Sequence, residues 1–257
     1  MSGLCKAIKK DIVYILVYTY FNLRAEVSSY VLGVIWWILE PVLFVFGFMF
    51  AFSSGLRGGG LEFAIYLLTG ILPFRLISSS AVMGAGSIER DRATLINSHQ
   101  PMYLTVISGF IVNWTKFILV YSVYIMMAIL LGKNTACLLL MPLFLVLLFV
   151  FSLGVNVFLS AVSPYFPDLR QIVGSMMFIL MFASGIVYDM DDLHGRFGVL
   201  IQYNPIAHII DLAKEIFIRG EPLDMSRVLA VLAVSLLLNV FGFSMIWIGK
   251  GRCLKYV

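Results

Sequence analysis

Six stretches of this chain are apolar enough to sit in lipid, and they constrain its fold more than any motif does. They cover residues 31–52, 61–82, 104–131, 136–162, 170–188 and 228–248. Each is close to the run of about 20 mostly apolar residues that crosses a bilayer as a helix. Only 12% of residues are charged, where a soluble domain carries about 25%. The sequence therefore predicts an all-α polytopic membrane protein: one domain over 1–257, with no soluble domain and no internal repeat. The net charge of +4 needs no nucleic-acid partner, because basic residues collect at the cytoplasmic ends of spans.

The connectors differ in kind. "SSGLRGGG" (53–60) and "GKNT" (132–135) are short turns, "SPYFPDLR" (163–170) is short with two prolines, and 84–103 is long and polar. Lysine and arginine set the orientation. Lys6, Lys9, Lys10, Arg24, Arg90, Arg92, Arg170, Lys250, Arg252 and Lys255 fall on one side, and the short turns on the other side hold only Arg57 and Lys133. Both termini are thus expected in the cytoplasm, with 249–257 as a basic cytoplasmic tail.

Two segments are amphipathic. Within 1–29, Leu4, Ile8, Ile12, Ile15 and Leu16 share a helical face, opposite Lys6, Lys9 and Lys10, which predicts a helix lying in the membrane interface. Asp11 and several tyrosines argue against a signal peptide there. Between the last two spans, residues 189–227 should lie outside. In "NPIAHIIDLAKEIFIRG" the residues Ile206, Ile209, Ile210, Ala213 and Ile216 form one face, with Asp211, Lys214, Glu215 and Arg219 mostly away from it. A short helix dipping into the outer interface or lying against the bundle fits this pattern, with Asn204 as its cap and Pro205 at its first position.

Several chemistries lack their sequence signatures. There is no GxxxxGK[ST] phosphate loop, so ATP hydrolysis is not expected on this chain, and there is no HExxH, GxSxG or CxxC. Cys5, Cys137 and Cys253 have neither metal-ligand nor disulfide-framework spacing. His99, His194 and His208 are scattered, and Asp189, Asp191 and Asp192 read as a solvated acidic turn without calcium-loop spacing. No metal or cofactor is expected on this chain.

Four pieces in order resemble one family. "LGVIWWILEPVLFVFGF" in the first span, "LLTGILPF" in the second, "FPDLRQIV" before the fifth and "YNPIAHIIDLAKEIFIRG" after it are similar to the membrane subunit of bacterial type-2 ABC exporters of polysaccharide. The capsular branch is the nearer match and O-antigen exporters the alternative. The resemblance implies six spans, an amphipathic N-terminal interface helix, and short periplasmic re-entrant or gate helices between spans five and six. It implies an inner-membrane homodimer with two copies of a separate ATPase that carries ATP and Mg. It also implies a lipid-linked polysaccharide as cargo, and periplasmic or outer-membrane export partners. Export of small hydrophobic drugs and a membrane enzyme are the rival readings.

Glu40-Pro41 is the candidate that most needs explaining, since a mid-span carboxylate and helix breaker are both costly. It is expected to face protein, water or substrate, and to shape the presentation of Trp36, Trp37, Phe44 and Phe48. Aromatic rings stack on the apolar faces of sugars, so these residues, with Phe178, Phe182 and Tyr188 of span five, are the candidate glycan path; packing and interface anchoring are the alternative. Arg75 either meets an anionic glycan or its lipid anchor, pairs with Glu40, or snorkels; Lys116 has the same options. Glu89, Arg90, Asp91 and Arg92, in the one long cytoplasmic connector, are the candidates for coupling to the ATPase. Asn204, Pro205 and His208 are the candidate periplasmic gate.

Overall fold

A computed structural model describes residues 2–29, 31–52, 61–87, 90, 101–130, 139–188 and 201–248. The described residues form helices and turns, with no strand among them. In chain order the helices are α1 (Ser2–Ser29), α2 (Ile35–Phe52), α3 (Leu61–Ala85), α4 (Met102–Leu130), α5 (Met141–Val162), α6 (Leu169–Phe182), α7 (Pro205–Lys214) and α8 (Met225–Ile248). A π-helical turn, Glu215–Arg219, continues α7.

Among the described residues, four helices are long and apolar enough to cross a membrane: α3 from Glu62, α4, α5 with the turn to Tyr165, and α8. They match the expected second, third, fourth and sixth spans to within a few residues. Two shorter apolar helices stand where the first and fifth spans are expected, over Ile35–Gly47 and Leu169–Phe182. The expected fifth span reached residue 188, but its helix stops at Phe182 and a turn follows in which Gly185 has φ 71°. At about 1.5 Å per residue, its 14 residues cover about 21 Å, less than a bilayer core of about 30 Å.

Helix α3 is the centre, packing against α2, α4, α5, α6 and α7. Ile65, Leu67, Ile71 and Ile77 are fully enclosed. Lipid is as apolar as leucine, so this bundle is held by close packing and by hydrogen bonds between helices. A β-carbon on Gly84 would overlap the backbone of Asn156, and one on Gly242 would lie 2.8 Å from the Phe158 nitrogen. These glycines let α3 and α8 approach the α5 backbone. Polar side chains then cross the seams: Asn156 Nδ2 donates to Ser80 O (3.0 Å), Ser163 Oγ to Ala85 O (2.8 Å) and Asn239 Nδ2 to Val150 O (2.9 Å).

The amino-terminal helix packs on the bundle along its length. Tyr103 Oη donates to Asp11 Oδ2 (3.1 Å), and Lys116 Nζ donates to Glu26 Oε1 (2.9 Å). Fifteen residues of α1 therefore match thirteen of α4, so α1 runs lengthwise and parallel beside the first half of α4 for about 20 Å. The expected common face is also divided: Ile15 is partly buried, while Ile12 and Leu16 are more than half exposed. The packed stripe is instead Asp11, Tyr14, Tyr18, Thr19 and Glu26.

Candidate functional site

The first half of α2 leans on α3 and α4, with the end of α1 along one side, and these elements line an open cavity of about 320 Å3. Trp36, Trp37, Glu40 and Pro41 line it from α2, Arg75 and Ser79 from α3, Asn113 and Lys116 from α4, and Glu26 from α1. The helix continues through Pro41, which lies in its interior. Glu40 is answered by a direct ion pair with the Arg75 guanidinium. That is one of the outcomes open to Arg75 from the sequence, and it removes the cost of a bare carboxylate in lipid.

A second ion pair faces the same cavity. Lys116 Nζ reaches both Glu26 oxygens, at 2.9 and 3.0 Å. Glu26 escaped sequence reasoning because it precedes the apolar run of α2 and sits 90 residues from its partner. Rings back both cations: Arg75 Cζ stands 5.0 Å from the Phe44 ring centre, and Lys116 Nζ 6.0 Å from that of Trp37. Asn113 Nδ2 donates to Ser79 Oγ (2.8 Å) and Ser80 Oγ (3.0 Å).

The candidate path residues thus divide into two groups. Trp36, Trp37, Glu40 and Arg75 share this cavity, with Phe44 behind Arg75. Phe178 and Phe182 instead make an edge-to-face pair on α6, 64% and 51% exposed, and do not line it. Tyr188 caps the end of α6, its hydroxyl donating to Phe182 O at 2.7 Å. The Phe48 side chain lies outside the described residues, as do Glu89, Asp91, Arg92, His99, Asp189, Asp191, Asp192, His194 and all three cysteine side chains. Arg90 is described: its guanidinium lies against Gly109 of α4 and lines a second cavity of about 270 Å3.

The gate segment forms as its sequence predicts at its start. Asn204 Oδ1 accepts from Ile206 N (3.0 Å), and Pro205 opens the helix. His208 Nε2 lies 2.7 Å from Gln202 O. The rest is a correction. The charges expected to point away from the apolar face are buried with it: Asp211, Lys214 and Glu215 are 3%, 1% and 5% exposed. Lys214 Nζ donates to Tyr66 Oη, Gly185 O (2.7 Å) and Tyr188 O (2.9 Å), and sits 3.9 Å from the Tyr66 ring centre. Asp211 accepts from Arg219 Nη2 (2.8 Å) and from Arg227, which also meets Glu215 (3.3 Å) and Asp224 (3.2 Å). The bundle packs around α7, so its two charges, Asp211 and Lys214, and Glu215 of the π turn have no outward face and are paired inward instead. Burial pushes the Glu215 carboxyl up from its ordinary value, against the hydrogen bond from Asp224 N and the nearby Arg219.

Comparison with known proteins agrees with this architecture. The family model described as ABC-2 type transporter matches residues 13–218. The chain is similar to the O-antigen export system permease protein RfbA of Klebsiella pneumoniae, 23% identical over 232 residues, covering 90% of this chain and 89% of that one. The protein of the same name from Myxococcus xanthus is 24% identical, covering 84% and 85%. The polysialic acid transport protein KpsM of Escherichia coli is 23% identical, covering 77% and 79%. A helical bundle with four membrane-length helices, matched by the family model from α1 to the π turn after α7, belongs to the ABC-2 type transporter family.

Proposed function

We propose that this chain is the inner-membrane permease subunit of an ATP-driven exporter of lipid-linked polysaccharide, working as a homodimer with two separate ATPase subunits. The observation that carries this reading is the set of polysaccharide-export relatives aligned over 77–90% of the chain. The sequence supports a division of labour, since it has no phosphate loop of its own. In this reading both termini are cytoplasmic, residues 84–100 dock the ATPase, and α7 with Asn204, Pro205 and His208 gates the periplasmic exit. The rings of Trp36, Trp37 and Phe44 stack on sugar faces along the path. The export partners stand beyond the inner membrane.

Capsular polysaccharide is the cargo the motifs favour, and O-antigen is the second reading because the O-antigen relatives align over more of the chain. Deleting the gene and staining the surface for both glycans separates the two. Loss of capsule with O-antigen intact supports the first, and the reverse supports the second. Retention of every surface polysaccharide, with no intracellular glycan accumulating, rejects export as the function.

A further inference from the structure

Helix α7 is enclosed by its own protomer. From Ile209 to Phe217 every residue is buried, and partial exposure within α7 is confined to Pro205 and His208. Apolar contact alone would let such a helix slide, but polar groups tie it to three neighbours. On α3, Tyr66 Oη accepts from Lys214 Nζ. A β-carbon on Gly70 would stand 3.3 Å from Ile210 Cγ2, so α3 meets α7 there without a side chain of its own between them. At the start of α8, Arg227 is held by Asp211 and by Glu215 (3.3 Å), and Asp224 N donates to Glu215 Oε2 (3.1 Å).

The third neighbour is the break in the fifth apolar segment. Helix α6 stops at Phe182, and a helix that ends among other helices leaves carbonyls that lipid cannot satisfy. Donors from α7 and its cap reach the carbonyls that follow. Asn204 Nδ2 donates to Ala183 O (3.2 Å), and Lys214 Nζ donates to Gly185 O (2.7 Å) and Tyr188 O (2.9 Å). The Tyr188 hydroxyl covers Phe182 O (2.7 Å). Swinging α7 away would bare these carbonyls and part Asp211 and Glu215 from Arg227, and buried polar groups left without partners are costly.

We infer that α7 with its π turn, the turn at 183–188, the part of α3 around Tyr66 and Gly70, and the start of α8 form one unit that stays assembled through the transport cycle. The exit therefore opens by displacing this unit whole, and α7 does not swing within it. Only what passes the exit, and the side of the membrane on which it opens, rest on the glycan-export reading.

A tether tests this. Cys5, Cys137 and Cys253 are first replaced by serine, and Gly70→Cys with Ile210→Cys then puts two thiols on facing positions of α3 and α7, where a disulfide needs β-carbons about 3.5–4.5 Å apart. The permease–ATPase complex in inverted vesicles is oxidised with copper phenanthroline, and export of sugar-labelled, lipid-linked glycan is read per crosslinked complex before and after dithiothreitol. Export by oxidised vesicles should stay within about twofold of the reduced rate. Export that stops on oxidation and returns on reduction would overturn the inference.

A second measurement needs no export. Single cysteines at Ile209 and Leu212, both fully enclosed, are challenged with a maleimide in the nucleotide-free complex and in the complex trapped with ATP and vanadate. Equal, slow labelling in the two states is expected. A rise beyond about twofold on trapping would overturn the inference, since it reports α7 leaving its neighbours. Where the disulfide does not form, or no vesicle moves glycan despite ATP hydrolysis, the labelling alone decides. Failure of the export reading is thereby kept apart from failure of the rigid unit.

Discussion

Replacing Lys214 by methionine should loosen the outer end of the bundle without disturbing its centre. The lysine is 1% exposed and joins three elements: Tyr66 of α3, the turn carbonyls of Gly185 and Tyr188, and α7 itself. Methionine fills most of the volume but donates nothing. Hydrogen bonds from a charged donor are worth about 1.5–3 kcal/mol each, and each carbonyl left bare costs about 1–3 kcal/mol. Contact of the cation with the Tyr66 ring adds about 2 kcal/mol when desolvated. Against this, several kcal/mol are recovered because an ammonium is no longer taken out of water. The net expectation is a loss of about 2–4 kcal/mol, felt mainly by residues 183–188. Ser184 is fully buried, so a cysteine placed there reports the opening. Its modification by a maleimide should accelerate by about 30-fold to about 1,000-fold if opening is a rapid local equilibrium. Labelling within about twofold of the parent, with an unchanged melting temperature, would refute the idea that this lysine pins the turn.

Gly84→Ala should cost about 1–3 kcal/mol by forcing α3 off the Asn156 backbone, whereas Gly174→Ala, which meets open space, should be neutral; thermal melts in detergent compare them. Asn204→Ala should cost about 1 kcal/mol by removing the cap on Ile206 N, visible as faster proteolysis near 201–205. The Glu215 carboxyl is raised above 4.5 by burial. Stability lost as pH rises through that raised value should return on acidification from neutral, and Glu215→Gln should flatten this part of the stability profile. Asp224 acts in the opposite sense. It is held below 3.8 by its hydrogen bonds from Ser226, so its contribution is present above 3.8 and disappears as pH falls through the lowered value.

The long helices were legible because lipid demands continuous apolar runs, and α3, α4, α5 and α8 begin and end within a few residues of where hydropathy places them. The Asn204–Pro205 start of α7 was legible because capping is local chemistry. The Glu40–Arg75 pair was available as one of three options for Arg75, since two opposite charges in adjacent spans have few other partners. What stayed hidden was long-range. Nothing local to Glu26 indicates that α1 runs beside α4 and brings this carboxylate to Lys116. Periodicity sorted the charges of α7 and its π turn outward, and only the packing of α3, α5 and α8 around them turns Asp211, Lys214 and Glu215 inward. Arg90, chosen for its place in a polar connector, is exposed, and its guanidinium lies against Gly109 of α4, a contact its place in the sequence does not reveal.

The central claim is that this subunit moves a glycan across the membrane when its ATPase turns over. The direct measurement is made in inverted vesicles that hold the permease and its ATPase, supplied with lipid-linked polysaccharide labelled in the sugar. The account predicts that ATP renders the sugar inaccessible to an added glycosidase. The Trp36→Ala, Phe44→Ala pair, losing about 1 kcal/mol of ring stacking at each position, should lower the protected fraction per assembled complex. Vesicles that hydrolyse ATP with a fully assembled complex, yet leave every labelled glycan open to the glycosidase, would contradict it.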